Sequence, residues 1–459
     1  MPDLLAARSL FAMSLGFHII FAVVGIGLPL MMVIAEWRWL RTGEEVYLTL
    51  TQRWAKGTAV LFAVGAISGT VLSFQLGLLW PGFMAWAGPI IGLAFSLEGF
   101  AFFAEAIFLG LYLYGWRLLS PAAHLGTGLV VVLSGAASAA FVVLANGWMN
   151  TPRGFRVVDG QPADIDPLAA LLNPAGLFQV PHMILAAYAA AGFAVAGIHA
   201  FRLLRDPDNQ FHQRAFVIAC VVGGVSALFQ PVSGDILARA VADHQPAKLA
   251  ALEGQFSTGS GAPFRLGGVP DLDQGRLRYA IEIPYALSLM LYLDPHATVA
   301  GLDAVPREEW PPVGVARAAF QIMILAGVWM AAVALWGAWL WWRCGSIVRS
   351  RYFLQTMVIS APLGFLAIEA GWTATEVGRQ PWIIAGVMRT AEAVTPIPGL
   401  IVPLIFFGAL YLFLAAVVGW VLCHQIGASP RGIPVRRNSG ETRREELTVP
   451  ASETVDKPE

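Results

Sequence analysis

Charged residues are scarce in this chain. Of its 459 residues only 13% are Asp, Glu, Lys or Arg, whereas 57% are hydrophobic, and the charged share is about half of that in a typical soluble domain. The mean hydropathy is +0.65. A water-soluble fold could not bury this much apolar surface, so the composition excludes soluble classes and indicates a polytopic membrane protein.

Cysteine is also rare, and basic residues are not in excess. The three cysteines, Cys220, Cys344 and Cys423, are far apart and form neither a CxxC pair nor a zinc-ligand spacing, so we expect three free thiols. The formal net charge of −1 gives no support to nucleic-acid binding. Aromatic residues, in contrast, make up 11% of the chain, which suits interfacial belts and flat cofactors alike.

Nine apolar segments are long enough to cross a membrane, which requires about 20 residues of helix. The first segment is too long for the hydrophobic region of a cleaved signal peptide, so we expect it to be a spanning helix. The fold class is therefore an all-α polytopic integral membrane protein. The segments are residues 11–35, 57–78, 88–115, 123–147, 181–204, 215–236, 315–342, 353–373 and 398–423.

The distribution of Lys and Arg orients these helices. The connections after the first, fifth and seventh segments and the C-terminal tail hold most basic residues, and the connection after the second has none. Basic residues favour the cytoplasm, so we expect the N-terminus outside and the C-terminus inside. This divides the chain into 1–236 with six helices, an outer loop at 237–314 without a clear element of its own, three helices at 315–427, and a polar, disordered tail at 428–459.

Four residues near the outer half of the membrane have side chains that can bind iron. His18, in "SLGFHIIF", and His182, in "QVPHMILAAY", are either structural histidines bonded to a neighbouring helix or ligands of a metal or haem. Met323, in "FQIMILAG", is by itself an ordinary core residue. Glu376, in "TEVGRQPW", is expected just past the outer end of the eighth helix. A His/Met pair is a recognised axial set for an electron-transfer haem, so this group indicates haem binding.

Two carboxylates in "SLEGFAFFAEAIFLGLYLYGW" indicate proton movement. Glu98 and Glu105 are seven residues apart, which is two turns along one helix face. Paired acids inside a membrane are typical of a proton relay, and an acid bonded to a helix partner is the structural alternative. Ser138, Asn146 and His124 could extend a polar track along the fourth helix, although Ser and Asn are also common packing residues. "GAISG" at 65–69 predicts only close helix packing.

From its start to about residue 425, the chain resembles subunit I of the cytochrome bd quinol oxidases. The matching stretches, in order, are "GFHIIF", "LEGFAFFAEAIFLGLYLYGW", "VLANGWM", "NPAGLFQVPHMI", "KLAALEGQF", "IEIPYAL", "FQIM" and "EAGWTATEVGRQPW". The resemblance implies an enzyme of the bacterial cytoplasmic membrane that oxidises quinol outside and reduces O2 to water with cytoplasmic protons, without pumping. It also implies a second subunit and, in some complexes, a small single-helix accessory subunit.

The resemblance implies three haem groups. His182 and Met323 match the ligands of a low-spin haem b. His18 and Glu376 match the ligands of a pair made by a high-spin haem b and a haem d, or by a second haem b in place of haem d, and which of them binds which stays open. Arg379 matches a partner of the haem propionates.

The resemblance also implies a proton route and a substrate site. Glu98 and Glu105 match the acids of the proton route, and Ser138 lies further along it. Lys248 and Glu253 match the quinol-binding residues of the outer loop, the Q-loop of that family, and we expect them to face water, away from the haem ligands.

Two features depart from the family pattern, and two alternatives remain. Gln321 stands where some members carry an Arg beside the low-spin haem, which weakens one expected anchor for a propionate. Only about thirty residues separate "IPYAL" from "FQIM", as in the short-loop branch that includes cyanide-insensitive oxidases. The alternatives are a haem-free, proton-coupled secondary transporter that uses Glu98 and Glu105, and a related oxidase with b-type haem only.

Overall fold

The structure of the chain is a computed structural model, which describes residues 3–395 and 397–427. The tail predicted at 428–459 lies outside the described residues. The helices are α1 (Asp3–Thr42), α2 (Glu45–Leu79), α3 (Pro81–Tyr114), α4 (Pro121–Asn150), α5 (Pro167–Leu171), α6 (Pro174–Leu203), α7 (Gln210–His244), α8 (Pro246–Glu253), α9 (Ala286–Tyr292), α10 (Val313–Cys344), α11 (Arg351–Ser360), α12 (Leu363–Val377), α13 (Thr390–Ala393) and α14 (Ile401–Gly427).

Nine spans within the described part of the chain are long and apolar enough to cross a membrane. They are α1, α2, α3, α4, α6, α7, α10, the pair α11–α12, and α14. The predicted number of spans and the mostly helical fold are therefore confirmed. Most of the spans extend beyond the predicted segments, because polar residues that lie outside the hydrocarbon core continue the same helices.

Capping residues explain several of the helix ends. The Asn173 side chain accepts a hydrogen bond of 2.7 Å from the Gly176 amide, and Pro174 occupies the first helical position of α6. Asn209 caps α7 through the His212 amide, and Ser120 caps α4. Gly345 ends α10 with a φ of 67°, a conformation that costs glycine little.

The eighth span is divided where a single helix was expected. A two-residue break at 361–362 separates α11 from α12. Pro362 explains the break, because proline has no backbone N–H to donate to the preceding turn of the helix. Beyond the break α12 continues to Val377, so Glu376 lies in its last turn. The expectation that Glu376 lies past the helix end is therefore wrong by about one turn.

Short antiparallel pairs of strands complete the described elements, together with 3-10 helices at Gly115–Arg117, Leu302–Ala304 and Arg307–Glu309. The pairs are β1 (Arg156–Val158) with β2 (Gln161–Ala163), β3 (Gly259–Ser260) with β6 (Thr298–Val299), β4 (Phe264–Asp271) with β5 (Arg276–Ile283), and β7 (Trp382–Ile384) with β8 (Met388–Arg389).

The segment predicted as a plain outer loop has a structure of its own. It contains α8, α9 and the strands β3 to β6. It also runs from 245 to 312 rather than from 237 to 314, because α7 continues to His244 and α10 begins at Val313. The β4–β5 hairpin is its longest regular element, and seven residues of β4 pair in register with β5.

Close helix contacts fix the positions of the spans. The largest core cluster joins α1, α2, α6, α7, α10 and α11, with Met31, Phe193 and Phe216 no more than 2% exposed. At the α6–α7 crossing, a Cβ added to Gly192 would lie 2.4 Å from the Gly223 Cα, so the two backbones are in contact. The close packing predicted for "GAISG" is also present, because a Cβ on Gly69 would lie 3.0 Å from the His18 ring.

Candidate functional site

His18 of α1 has its ring held by α2. Its Nδ1 lies 3.0 Å from the Ser68 hydroxyl oxygen, and that hydroxyl donates to the backbone carbonyl of Val64 at 2.9 Å. Because the serine proton is used in this way, the histidine Nδ1–H must be the donor, which leaves the lone pair on Nε2. This is the tautomer of a histidine that binds iron through Nε2.

His182 of α6 shows the same arrangement against α7. Its Nδ1 lies 2.9 Å from the Ser233 hydroxyl oxygen, and Ser233 donates to the Gln230 carbonyl at 3.0 Å. The lone pair is again on Nε2, where the Gln230 amide nitrogen lies at 3.1 Å. The other amide atom, Gln230 Oε1, is buried without a hydrogen-bond partner. The Nε2 atom of His182 therefore lies beside the Gln230 side chain, whose own carbonyl oxygen has no hydrogen-bond partner.

Met323 packs against the helix that carries Glu376. A Cβ on Gly371 of α12 would lie 3.0 Å from the Met323 sulfur, so only glycine leaves room for the thioether. The helices α6, α7, α10 and α12 pack on one another. Within this group His182 of α6 contacts α7, and Met323 of α10 contacts α12.

Glu376 is bonded on both oxygens. Asn146 of α4 donates to its Oε1 at 2.5 Å, and Arg379 Nη2 donates to its Oε2 at 2.6 Å. The Arg379 side chain is only 3% exposed, yet its Nε and Nη1 have no hydrogen-bond partner. A buried guanidinium with two unused donors calls for a further acceptor, because unpaired buried donors are costly.

Hydrogen bonds continue from Asn146 to the segment at 245–312, which we call the outer segment because it is expected on the outer side. Asn150, one turn along α4, donates to the Asn146 carbonyl at 2.9 Å and to its side-chain oxygen at 3.3 Å. Asn150 accepts from Lys248 Nζ at 2.8 Å, and Gln245 accepts from the same ammonium at 3.1 Å. A continuous chain, Lys248–Asn150–Asn146–Glu376–Arg379, thus joins α8 to the end of α12. We call it the Lys248–Arg379 chain.

Lys248 is buried, contrary to expectation. It is 5% exposed and packs on the Gly378 backbone, where an added Cβ would lie 3.0 Å from its Cγ. Burial lowers the pKa of Lys248 to about 7; the charge of Arg379 acts in the same direction, and that of Glu376 opposes both. The expectation of a water-facing lysine far from the haem ligands is therefore wrong, because α8 packs against the spans.

Glu253, the last residue of α8, is buried as well. It is 5% exposed, and its Oε2 has no hydrogen-bond partner. Burial raises the pKa of Glu253 to about 7, although the nearby charges of Arg317 and Arg265 lower it. A carboxyl group of this kind can take up or release a proton near neutral pH. The expected exposure of Glu253 to water is wrong for the same reason as that of Lys248.

Two residues of α10 bind the β4–β5 hairpin. Arg317 is 1% exposed and donates to the backbone carbonyls of Arg265, at 2.9 Å, and of Gly267. Gln321 accepts a hydrogen bond of 3.0 Å from the Gly267 amide. Gln321, which departs from the family pattern, therefore also holds the hairpin on α10, because its side-chain oxygen binds the Gly267 backbone N–H.

The two acids of α3 both lie against α4. Ser138 donates to Glu98 Oε1 at 3.3 Å. Glu105 is 6% exposed, and a Cβ on Gly135 would lie 3.2 Å from its carboxyl carbon. Ser138 is therefore in contact with Glu98, and its place further along a proton route stays a prediction. The rest of the predicted polar track divides into separate contacts, with Asn146 on Glu376 and His124 on Glu36, at 2.7 Å.

The structure buries further polar groups that the sequence motifs did not predict. Glu369 lies seven residues before Glu376, its Oε2 would be 3.1 Å from a Cβ on Gly16, and its Oε1 is buried without a partner. The spacing of seven is the signal that marked Glu98 and Glu105, so this acid could have been found. Gln75, with both amide atoms buried and unpartnered, and Glu36 stand in no recognisable motif.

A cavity of about 450 Å³ opens between the N-terminal end of α6 and the C-terminal end of α7, one turn from His182. An ion pair of 2.8 Å between Asp235 and Arg239 lies in its wall. The lining residues are Phe178, Asp235, Ile236, Arg239, Ala240, Asp243, His244 and Leu293.

The Lys248–Asn150 contact can be tested by a double-mutant cycle. Asn150→Ala removes one of the two acceptors of a buried ammonium, so we expect a loss of about 1–3 kcal/mol in the free energy of unfolding. In a Lys248→Met background the same change should cost much less. Thermal unfolding of the four purified variants measures both effects, with Thr49→Ala, a half-buried residue of α2 away from this chain, as the control. Equal losses in the two backgrounds would contradict the contact.

Comparison with known proteins places the chain among membrane oxidases. Residues 6–430 match the family model for cytochrome bd terminal oxidase subunit I. The cytochrome bd ubiquinol oxidase subunit 1 of Bacillus subtilis is 33% identical over 440 residues, which cover 93% of this chain and 94% of the relative. The cytochrome bd-II ubiquinol oxidase subunit 1 of Escherichia coli is 28% identical over 455 residues, covering 84% and 88%.

A solved structure has the same fold. A chain of the bd oxidase from Geobacillus thermodenitrificans superposes with a TM-score of 0.88 at 38% identity, over 93% of this chain and 99% of that one. The family match spans most of the sequence, and the helix arrangement is shared along the same length. The chain therefore belongs to the cytochrome bd terminal oxidase subunit I family.

Proposed function

We propose that this chain is the haem-carrying subunit of a quinol:oxygen oxidoreductase in the cytoplasmic membrane of a bacterium. The observation that carries the proposal is the Lys248–Arg379 chain. It links a residue of the outer segment, where quinol is expected, to a residue that is expected to hold a haem iron. Family membership and the names of the relatives support the same reaction.

The donor groups fit haem. His18 and His182 present Nε2 lone pairs, Met323 adds a thioether and Glu376 a carboxylate. The two unpartnered nitrogens of Arg379 suit propionate oxygens. In this proposal His182 and Met323 hold a low-spin haem b, with the Gln230 amide turned aside, and His18 and Glu376 hold a high-spin haem b and a haem d, or a second haem b. When bound, the haem groups supply electron transfer and oxygen reduction.

The buried face of α8 would bind the quinol head group. Lys248 and Glu253 both have pKa values shifted to about 7, so each can change its protonation state at neutral pH. As a carboxylate, a form that the charges of Arg317 and Arg265 favour, Glu253 would accept a quinol proton and become the neutral acid. With the N-terminus outside, as the basic residues favour, this proton leaves on the outer side.

Protons for water formation would arrive along α3. Glu105 takes a proton from the cytoplasmic side, and Glu98, about 10 Å further out along the helix, delivers it toward the haem pair. Ser138 holds the Glu98 carboxylate in place by its hydrogen bond. Protons released outside and consumed from inside separate charge across the membrane without a pump. The working complex would also need subunit II of the oxidase, and a small single-helix subunit can join it.

Replacing Met323 with Leu tests the low-spin ligand pair. The volume is nearly conserved, so the fold should persist. We expect the low-spin haem to become high-spin or to fall in potential, and quinol oxidation to slow. The measurement is a reduced-minus-oxidised visible spectrum with a redox titration, and Met330→Leu, a buried residue of the same helix, is the control.

An unchanged spectrum and potential in Met323→Leu would remove the His182/Met323 assignment. A wild-type complex that shows no haem bands would remove the oxidase proposal itself and favour the proton-coupled transporter.

Replacing Glu253 with Gln tests the quinol base. Because the carboxylate forms as the pH rises through about 7, wild-type kcat/KM for quinol should rise over the same range. In Glu253→Gln we expect a lower kcat/KM, loss of the rise of kcat/KM with pH that the Glu253 carboxylate causes, and unchanged haem spectra. Glu282→Gln, an exposed acid paired with Arg265 on the hairpin, is the control. A profile in Glu253→Gln that keeps its inflection near pH 7 would assign the proton acceptor elsewhere.

Replacing Glu105 with Gln tests the proton route. The change keeps the shape of the side chain but removes its exchangeable proton. We expect quinol reduction of the low-spin haem to remain nearly intact and turnover with oxygen to slow severely, and Glu98→Gln should behave likewise. Stopped-flow mixing of the reduced variants with oxygen follows both steps, with the exposed Glu45→Gln as control. Wild-type rates in both variants, with all haems present, would leave these acids as structural partners.

A further inference from the structure

The outer segment exposes a group of large apolar side chains. Tyr279 is 92% exposed, Ile281 68% and Ile283 45% on β5, and the chain then runs directly into Tyr285 at 51% and Leu289 of α9 at 48%. We call these five residues the outer patch. An uncovered apolar surface on a hairpin and the helix that follows it usually marks a contact with another phase or another protein.

The opposite face of the hairpin is occupied. Arg265, which is paired across the ribbon with Glu282 rather than with Ile281, donates to Gln255 at 2.5 Å. The Arg265 side of the hairpin therefore lies against the end of α8. Leu277, nearer the turn, packs on Gly254 at the same helix end. Cross-strand pairing sets Ile281 opposite Leu266, an apolar pair of the kind that shares one face of a ribbon.

The hairpin is fastened at the outer boundary of the membrane. Gln321 and Arg317 of α10 bind the backbone of Gly267, the neighbour of Leu266. The ~20 residues that fill the hydrocarbon core, counted back along α10 from Trp342, begin at about residue 323. Gly267 and the pair formed by Leu266 and Ile281 are therefore near the level where hydrocarbon gives way to head groups.

The short helix α9 lies at a similar level. Its buried residues Leu287 and Leu291 pack with Ala238, Val241 and Ala242 at the outer end of α7. The apolar segment of α7 ends at about residue 236, so these contacts are about 3–9 Å beyond it at ~1.5 Å per residue. That distance corresponds to the head-group layer, in which amphipathic helices lie.

We propose that the outer patch is a membrane-contact surface seated in the head-group and upper acyl region of the outer leaflet. The hairpin is bound to α10 at Gln321, next to Ile322 and near Leu325, which are 42% and 61% exposed. Tyrosine at the rim of an apolar surface is typical of this layer. The contact stands independently of the quinol assignment. Where that assignment holds, the hairpin keeps Glu253 at the depth from which a lipid-soluble substrate arrives.

Site-directed spin labelling of the intact two-subunit complex in lipid nanodiscs tests the contact. The background carries Cys344→Ser and Cys423→Ser, which removes the two exposed thiols, and its own spectrum reports any labelling of Cys220. Labels are placed by Ile281→Cys and Tyr279→Cys, and by Gln274→Cys in the exposed turn of the same hairpin as the matched control. Power saturation with O2 and with a water-soluble nickel chelate measures the exposure of each label to lipid and to water.

We expect the labels at 281 and 279 to collide several-fold more with O2, relative to the nickel chelate, than the label at 274. Equal accessibility to the nickel chelate at all three positions would place the patch in water and overturn the proposal. Labels at 281 and 279 that are immobile and shielded from both agents would show a protein partner on the patch, which also overturns it. Neither outcome bears on the quinol assignment, because no turnover is measured.

Discussion

The cost of burying charge where water is excluded governs this structure. Lys248, Glu376 and Arg379 are held in one hydrogen-bonded chain, and two asparagines separate the ammonium from the carboxylate. With all three ionised, the chain carries one positive charge more than negative, and two nitrogens of Arg379 remain without acceptors. A buried imbalance of this kind is unfavourable unless an anion completes it. A haem propionate would supply both the missing charge and the missing acceptors.

The second constraint is space, because a glycine lies directly against each of six side chains of interest. A Cβ added to the glycine would in each case lie 3.0–3.4 Å from the side chain, so a larger residue would displace it. The space beside each of these side chains is therefore provided by a glycine of a neighbouring element, not of the helix that carries the side chain. The pairs are His18 with Gly69, His182 with Gly234, Met323 with Gly371, Glu105 with Gly135, Lys248 with Gly378 and Glu369 with Gly16.

Hydropathy and spacing predicted the nine spans and the α3 acids, because both follow from local sequence. They could not predict which side chains meet, since Asn150 and Lys248 are 98 residues apart and are joined only by the packing of α8 on the spans. The assumption that a connection outside the membrane faces water failed for Lys248 and Glu253, because a short helix in that connection has a buried face. The predicted haem ligands and quinol residues remain predictions, although their surroundings suit these roles.

The outer segment separates two groups of residues, because its helix α8 lies between them. Lys248 and Glu253 are five residues apart on α8, and they point to different partners, the first to the Glu376 side and the second to Arg317 and the hairpin. The helix therefore lies between the expected haem-pair ligand and the element that meets the membrane surface. Each of the two groups has a pKa near neutrality. Protonation on one side of α8 would then alter the field on the other, because little water screens charges buried this closely.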